Sequence, residues 1–335
     1  MRAVVLVGGF GTRLRPLTNT RPKQMLPVVN RPMIEHVVGH LTEHGIDDVV
    51  LSMGYRPDAF AAAYPSGVCA GARLHYAVEP EPLDTAGAIR FAALDAGIDD
   101  TFLVLNGDVL TDLDVRSFVA FHRARGAEAT IHLFPVDDPS RFGVVPTDDT
   151  GKVLAFVEKP PRESAPTNRI NAGTYVLEPS VLDRIPGGRK VSVERETFPA
   201  MAAEGRLYAC EGATYWLDTG TPEQYIQAQT DLLDGRRGAP VDGVDASAQV
   251  DPAAVVVRSV VGPEAVVEAG ATVEGSVLLR GALVRRGAVV TDSVVGAAAE
   301  VAPGAWVVGG TIVGDGEVVA TGTRLDGARV PVPAS

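Results

Sequence analysis

The run Leu6-Val-Gly-Gly-Phe-Gly-Thr-Arg-Leu-Arg-Pro-Leu-Thr18, followed by Lys23, puts Gly8, Gly9 and Gly11 next to mobile cations. Glycines directly after a strand let the backbone approach a phosphate, and successive N–H groups form an anion-binding concavity. Arg13 and Lys23 add positive charge to that concavity. Glycines alone also suit a tight turn, so the basic pair is what points to a ligand. Two well-known spacings are excluded. The dinucleotide fingerprint needs a third small residue opening a helix, whereas Gly9-Phe-Gly11 runs on to Leu14 and Pro16. The P-loop spacing of Gly and Lys is absent.

Acidic residues supply the complementary chemistry. Asp108 follows the apolar run Phe102–Asn106, and Asp218 lies in an aromatic-rich turn much later in the chain. Brought together, their hard carboxylate oxygens would hold Mg²⁺ against a triphosphate, with water and phosphate oxygens completing the octahedron. A lone Asp at a strand end is otherwise a cap or turn residue. Glu158-Lys159-Pro160 follows the apolar run 153–157, so these side chains should project from a strand end; such a pair reads equally well as solvated surface. His36, His40 and His44 recur every four residues, but Ile34, Val37, Val38 and Leu41 already supply that helix with an apolar face. The histidines are therefore expected on a solvated flank and not at a metal.

These groups need a scaffold. From residue 1 to 233 short β-branched runs at 4–7, 49–53, 74–78 and Phe102–Asn106 alternate with helical patterns at 32–44, 85–94 and Val115–Arg125. That alternation predicts an α/β domain with a Rossmann-like, mainly parallel sheet. Residues 234–243 are turn-rich and read as a linker. From 244 to 330 aliphatic residues recur every six positions, with occasional fives, at 250, 256, 261, 267, 273, 279, 284, 290, 295, 301, 307, 313, 319 and 325. A hexad of this kind marks a parallel β-helix, in which each coil buries the aliphatic residue of its neighbour. Residues 241–335 contain no histidine, so a histidine base for acyl transfer is missing from the tail. Structure and subunit contact are its expected roles, with homo-oligomers formed through the stacked coils.

Composition narrows the partners. A chain of 335 residues suggests about two domains at roughly 150 residues each. Thirty Lys and Arg against forty-two Asp and Glu give a net charge of −12, which repels a nucleic-acid backbone and requires any phosphate to be met locally. The opening apolar run is too short for a signal peptide and meets Gly8-Gly9. No stretch approaches the roughly 20 apolar residues of a membrane span. Cys69 and Cys210 are the only cysteines, which suits a cytoplasmic protein without a disulfide framework.

The motif at 8–18, with its basic residue at 23, resembles the signature of the sugar-1-phosphate nucleotidyltransferases. Agreement continues in order through Asn106-Gly-Asp-Val109, Phe142-Gly-Val144, Val157-Glu-Lys-Pro160, Ile170-Asn-Ala-Gly173 and Tyr215-Trp-Leu-Asp-Thr-Gly220. Phe121-His122, Val193-Glu-Arg-Glu-Thr-Phe-Pro199 and Trp216-Leu-Asp-Thr-Gly-Thr-Pro222 are similar to the family's mannose-1-phosphate guanylyltransferase branch, which carries a C-terminal left-handed β-helix. Two positions depart from that branch: Asp84 stands where Gly is usual in the loop facing the base, and Lys23-Gln24 replaces Lys-Pro, as in thymidylyltransferases.

The resemblance implies transfer of a nucleotide from GTP to mannose 1-phosphate, giving GDP-mannose and pyrophosphate with Mg²⁺. It implies Arg13, Lys23 and Asp108 as catalytic residues, and Asp108 with Asp218 at the metal. Leu6, Gly8, Gly9, Gly11, Thr12, Glu79, Asp84, Thr85 and Gly107 would meet the nucleotide. Glu158 and Asn171 would bond sugar hydroxyls, Lys159 would meet the sugar phosphate, and Gly143 and Gly173 would let the backbone come close. Alternatives are uridylyl, adenylyl or thymidylyl transfer to glucose 1-phosphate, guanylyl transfer to a related sugar or pseudo-sugar phosphate, and a regulatory subunit that binds nucleotide sugar without catalysis.

Overall fold

A computed structural model describes residues 1–54 and 57–332. The chain forms two compact units. The first joins Met1–Gly9 to Glu35–Trp216, and the second joins Phe10–Ile34 to the chain from Leu217 onward.

In the first unit, the strand Ala3–Leu6 lies between Asp48–Met53 and Phe102–Asn106 and runs parallel to both. Val4 pairs with Val50 on one side and Val104 on the other, and all three are fully buried. Strands covered on both faces read as continuous β-branched runs, as these do. Beyond Asp48–Met53 comes Ala72–Val78, also parallel. On the opposite side the sheet changes character, because Arg169–Leu177 runs antiparallel to Phe102–Asn106 and pairs next with Ala129–Pro135. The helix Asp84–Asp95 buries Ala86, Ile89, Ala92 and Ala93 in the same apolar cluster as Val4, Val50 and Val104. Val115–Arg125 is capped at both ends: Asp114 accepts from the Arg116 and Ser117 amides, and Gly126 closes the helix in the left-handed region.

The histidine stripe departs from expectation at its middle member. His40 is buried and its Nε2 lies 2.9 Å from the Leu113 carbonyl, while His44 Nδ1 lies 2.9 Å from the His40 carbonyl. The apolar face is wider than the aliphatic spacing suggested, and it includes a hydrogen-bonded imidazole.

In the second unit, the helix Pro222–Leu233 starts at a Thr221 cap that accepts from the Gln224 amide, with proline in the first helical turn. After it, three five-stranded parallel sheets form the faces of a solenoid, consistent with the left-handed β-helix expected. Val250, Val267, Val284, Val301 and Val319 stack in one column. Seventeen residues separate Val284 from Val301, and eighteen separate Val301 from Val319. The extra residue is taken up at Gly309-Gly310, both left-handed. A separate effect moves one hexad position: each seventeen-residue coil contains one step of five residues, from Val273 to Leu278 as from Val290 to Val295, so Leu278, not Leu279, joins the central column with Val261 and Val295. One corner carries a hydroxyl ladder, in which Ser259 Oγ accepts from the Ser276 amide and Ser276 Oγ from the Ser293 amide, each at 3.1 Å. The ladder satisfies buried backbone donors that the turn leaves outside the sheets.

One buried group makes stability depend on pH. His132 is fully buried, neither ring nitrogen has a hydrogen-bond partner, and its ring meets Phe118 edge-on at 6.1 Å. Burial lowers its pKa from 6.5 to about 4, partly opposed by the charge of Asp112. The unfolded chain takes up the proton first, so this contribution is complete above pH 6.5 and is lost as pH falls toward 4. At most about 3 kcal/mol is at stake, from the shift in pKa. Urea unfolding at pH 7 and pH 4.5 should show His132→Leu losing less stability on acidification than the wild type. Equal losses would assign the acid sensitivity elsewhere.

Candidate functional site

In the first unit the nucleotide-side candidates lie at or beyond the carboxyl ends of adjacent parallel strands, where ligands of open α/β sheets bind. Leu6 ends its strand opposite Ser52 and Asn106. Gly8 and Gly9 follow, exposed, and a Cβ at either would meet nothing within 4 Å; Gly9 is left-handed at φ +97°. Gly107 differs. Its amide donates to the Leu6 carbonyl at 2.9 Å, and a Cβ there would lie 2.8 Å from Val7 Cγ1 and 2.9 Å from Leu6 O. Only glycine lets the chain turn over the end of the first strand, which sets Asp108 beside it, half-buried.

The loop leaving Ala72–Val78 is tied down from within. Half-buried Glu79 accepts from the Leu83 amide at 2.9 Å and the Ser52 hydroxyl at 3.4 Å, and desolvation holds its carboxyl above the usual range. Asp84 adopts φ +61°, and its Oδ1 accepts from the Thr85 amide at 2.8 Å. The left-handed region favours glycine, and among side chains Asp and Asn enter it at modest cost, so Asp84 preserves the bend that glycine would make. Thr85 Oγ1 donates to Glu194 at 2.7 Å and accepts from the Val193 amide at 2.9 Å.

The sugar-side candidates gather around a register shift. Between Asn171 and Tyr175 the pairing of Arg169–Leu177 with Ala129–Pro135 slips. Bulges re-aim side chains in this way. Asn171 Nδ2 donates to the Tyr175 hydroxyl at 2.9 Å, and Asn171 Oδ1 accepts from the Gly173 amide at 3.0 Å. Gly173 is left-handed, and a Cβ on it would lie 2.5 Å from Asn106 Nδ2. Gly143 pairs with Glu158, and a Cβ on it would overlap the Phe156 ring. Lys159 sits at φ +49° with its amine 3.0 Å from Glu158. Asn106, Tyr175 and Trp216, whose indole donates to the Ala172 carbonyl at 2.8 Å, hold this arrangement. Two of them lie inside quoted motifs, yet chain order alone gives no sign of a supporting role.

The second unit carries Gly11, Thr12, Arg13, Lys23 and Asp218. Gly11 is left-handed, and its carbonyl accepts from the Thr18 hydroxyl at 2.9 Å and the Leu14 amide at 3.0 Å. A Cβ on Gly11 would stand 3.0 Å from Thr18 and 3.3 Å from Lys23, so the turn closes against buried Lys23. Asp218 ends the short strand Trp216–Asp218 instead of sitting in a turn. Two residues on, a Cβ on Gly220 would lie 2.8 Å from an Arg13 guanidinium nitrogen and 2.9 Å from Asp218 Oδ1. Gly220 was not among the expected site residues, although it closes a quoted motif.

Among the described residues no three His, Cys, Asp or Glu side chains cluster as a metal cage. The donors available are hard carboxylate oxygens, and glycine at 220 keeps a Cβ away from one of them, Asp218 Oδ1. That set suits a divalent ion that draws most of its shell from phosphate oxygens and water.

A doubly covered α/β sheet with its polar groups at the strand ends, carried on the same chain as a parallel β-helix, defines a phosphate-handling enzyme class with an appended solenoid. The chain belongs to the nucleotidyl transferase family, whose model matches residues 2–235, while a model described as the GMPPB C-terminal domain matches 241–335. It is 44% identical over 266 residues to a mannose-1-phosphate guanylyltransferase of Mycobacterium tuberculosis, covering 76% of this chain and 73% of that one. It is also 44% identical to a mannose-1-phosphate guanyltransferase of Aspergillus fumigatus, over 68% of this chain and 62% of that one. Among solved structures, HddC from Yersinia pseudotuberculosis complexed with GMP-PN matches at 30% identity and a TM-score of 0.58, covering 68% of this chain and 97% of that one. Nucleotidyltransferases of this family generally use a divalent metal.

Crowding at Gly220 yields a direct test. Gly220→Ala must displace Arg13 or Asp218, so turnover should fall about a hundredfold for a displacement near 1 Å, with little change in melting temperature. Native turnover would show that neither side chain is held where Gly220 requires.

Proposed function

We propose that the protein makes GDP-mannose and pyrophosphate from GTP and mannose 1-phosphate. The observation that carries this reading is the 44% identity to the M. tuberculosis guanylyltransferase over 76% of the chain. The match of residues 241–335 to the GMPPB C-terminal domain supports it.

The chemistry needs no protein base. A phosphate monoester has a second pKa of about 6 and is largely dianionic at pH 7, so its oxygen can attack the α-phosphorus unaided. The protein's task is positioning and charge neutralisation. Arg13 and Lys23 stabilise the triphosphate and the leaving pyrophosphate, and the Gly8, Gly9, Gly11 and Thr12 backbone lies along the phosphates. Leu6, Glu79, Asp84, Thr85 and Gly107 border the nucleoside. Glu158 and Asn171 orient the sugar hydroxyls, Lys159 meets the sugar phosphate, and Gly143 and Gly173 admit the ring. Asp108 and Asp218 are the carboxylates we assign to Mg²⁺, which supplies charge neutralisation on the phosphates when bound. In domain terms, 1–233 carries the chemistry, 234–243 links, and 244–330 forms the solenoid.

We further infer homo-oligomers through the β-helix, where Val255, Val257 and Trp306 are exposed along one face. We also infer a cytoplasmic setting, because two cysteines so far apart in sequence supply no disulfide framework. Among the described residues no helix is long and apolar enough to cross a membrane.

Assaying each nucleoside triphosphate against mannose, glucose, galactose and N-acetylglucosamine 1-phosphates with Mg²⁺ should give one dominant product, GDP-mannose. Dominance of another pair would keep the class and overturn the specificity, and a blank grid would favour a regulatory subunit. Within the active pair, Arg13→Ala and Asp108→Asn should each lower kcat by about a hundredfold or more. Rates near wild type in either variant would remove that residue from the mechanism.

A further inference from the structure

The stretch that carries Arg13 and Lys23 is held at two places, one of them on the β-helix. At its end, Pro27 O accepts from the Tyr225 hydroxyl and, at 3.0 Å, from Gln229 Nε2, while Gln229 Oε1 accepts from the Val29 amide at 2.7 Å. In its middle the partner is Asp315, in the turn between the strands Ile312–Val313 and Val318–Val319. Asp315 Oδ2 accepts from the Thr20 hydroxyl and from Arg21 Nη2, both at 2.6 Å. Its Oδ1 accepts from the Ala297 amide at 2.8 Å, which ties the carboxylate to the neighbouring coil. The preceding residue packs as well. A Cβ on Gly314 would lie 3.1 Å from Pro16 Cγ and 3.0 Å from the Val330 carbonyl, so the solenoid backbone lies directly against Pro16.

We propose that Asp315 is a positioning residue for nucleotide binding, acting through Thr20 and Arg21 on the stretch between Arg13 and Lys23. This rests on the reading of Arg13 and Lys23 as phosphate-binding groups. An exposed ion pair would contribute little, because solvent screens it and two long side chains must be ordered. Here the carboxylate side chain is 15% exposed and receives three donors, one of them cationic, and the Ala297 amide orients it from within the β-helix independently of Arg21. Lys23 stands two residues from Arg21, and Pro16 three residues from Arg13. A contact in the β-helix thus limits the travel of both cations. The solenoid serves the site directly and is not only a subunit contact.

The test separates the link from the coil that provides it. Arg21→Ala removes the ion pair of the link and leaves the Asp315 bonds to Thr20 and Ala297 intact, while Asp315→Asn keeps an oxygen for Ala297 and removes the charge. Each should lower kcat/KM for GTP about tenfold, change KM for mannose 1-phosphate by less than about twofold, and leave the melting temperature nearly unchanged. The double variant should be no worse than Asp315→Asn alone, because both single changes remove the same ion pair. Additive losses, equal changes in both KM values, or unchanged kinetics would overturn the proposal. Hydrogen exchange across residues 10–25 without substrates supplies a readout independent of turnover. Faster exchange in Arg21→Ala is expected, and an unchanged profile would overturn the anchoring. A wild type that makes no nucleotide sugar would overturn the functional reading alone, leaving the exchange result to judge the anchor.

Discussion

The register of three parallel strands is the constraint from which the first unit's chemistry follows. Leu6, Ser52 and Asn106 stand level because Val4, Val50 and Val104 pair in the core beneath them. A slip of one residue would turn every side chain to the opposite face, which the covered sheet forbids. With the strand ends level, the loops that leave them need little length to converge. Gly107 can then fold over Leu6, and Gly173 can press against Asn106. Both glycines are demanded by the neighbouring atoms, whereas Gly8 and Gly9 have open space around them. The glycines without neighbours are the ones that keep backbone accessible, and the crowded glycines are the ones that set geometry.

The second unit solves a different problem. A segment with little regular structure beyond short 3-10 turns must hold two cations in place in a chain of net charge −12. Such a segment has high conformational entropy unless something outside it supplies contacts. The helix Pro222–Leu233 fixes one end through Tyr225 and Gln229, and the β-helix fixes the middle through Asp315. A β-helix is suited to this work. Its stacked coils share a backbone ladder on every face, and Val and Ala fill its interior, so a carboxylate at one corner rests on backbone tied to the neighbouring coil.

What the sequence revealed depended on how local the cause was. The parallel strands, the flanking helices and the hexad were legible because each rests on a short-range pattern of apolar residues. The column shift from Leu279 to Leu278 was not, since it follows from a coil step that only the turns decide. His40 was expected in solvent, but Leu113, seventy-three residues away, supplies its partner. The cations and carboxylates of the candidate site were readable as residue types in motifs. Asn106, Tyr175, Gly220 and Asp315 were not, because each acts through a neighbour that is distant in sequence or through space it leaves empty.

Asp84 shows where residue type and backbone part company. Read as a letter, it replaces glycine with a charge and argues for a changed nucleotide preference. Read as a conformation, it occupies the left-handed region that glycine would occupy, and its own carboxylate caps the Thr85 amide. The helix that follows is still anchored through Thr85 to Glu194 and Val193. Asp84 thus takes the backbone conformation that glycine readily takes, with its carboxylate engaged inside the turn. The change of residue type does not by itself demand a different turn conformation.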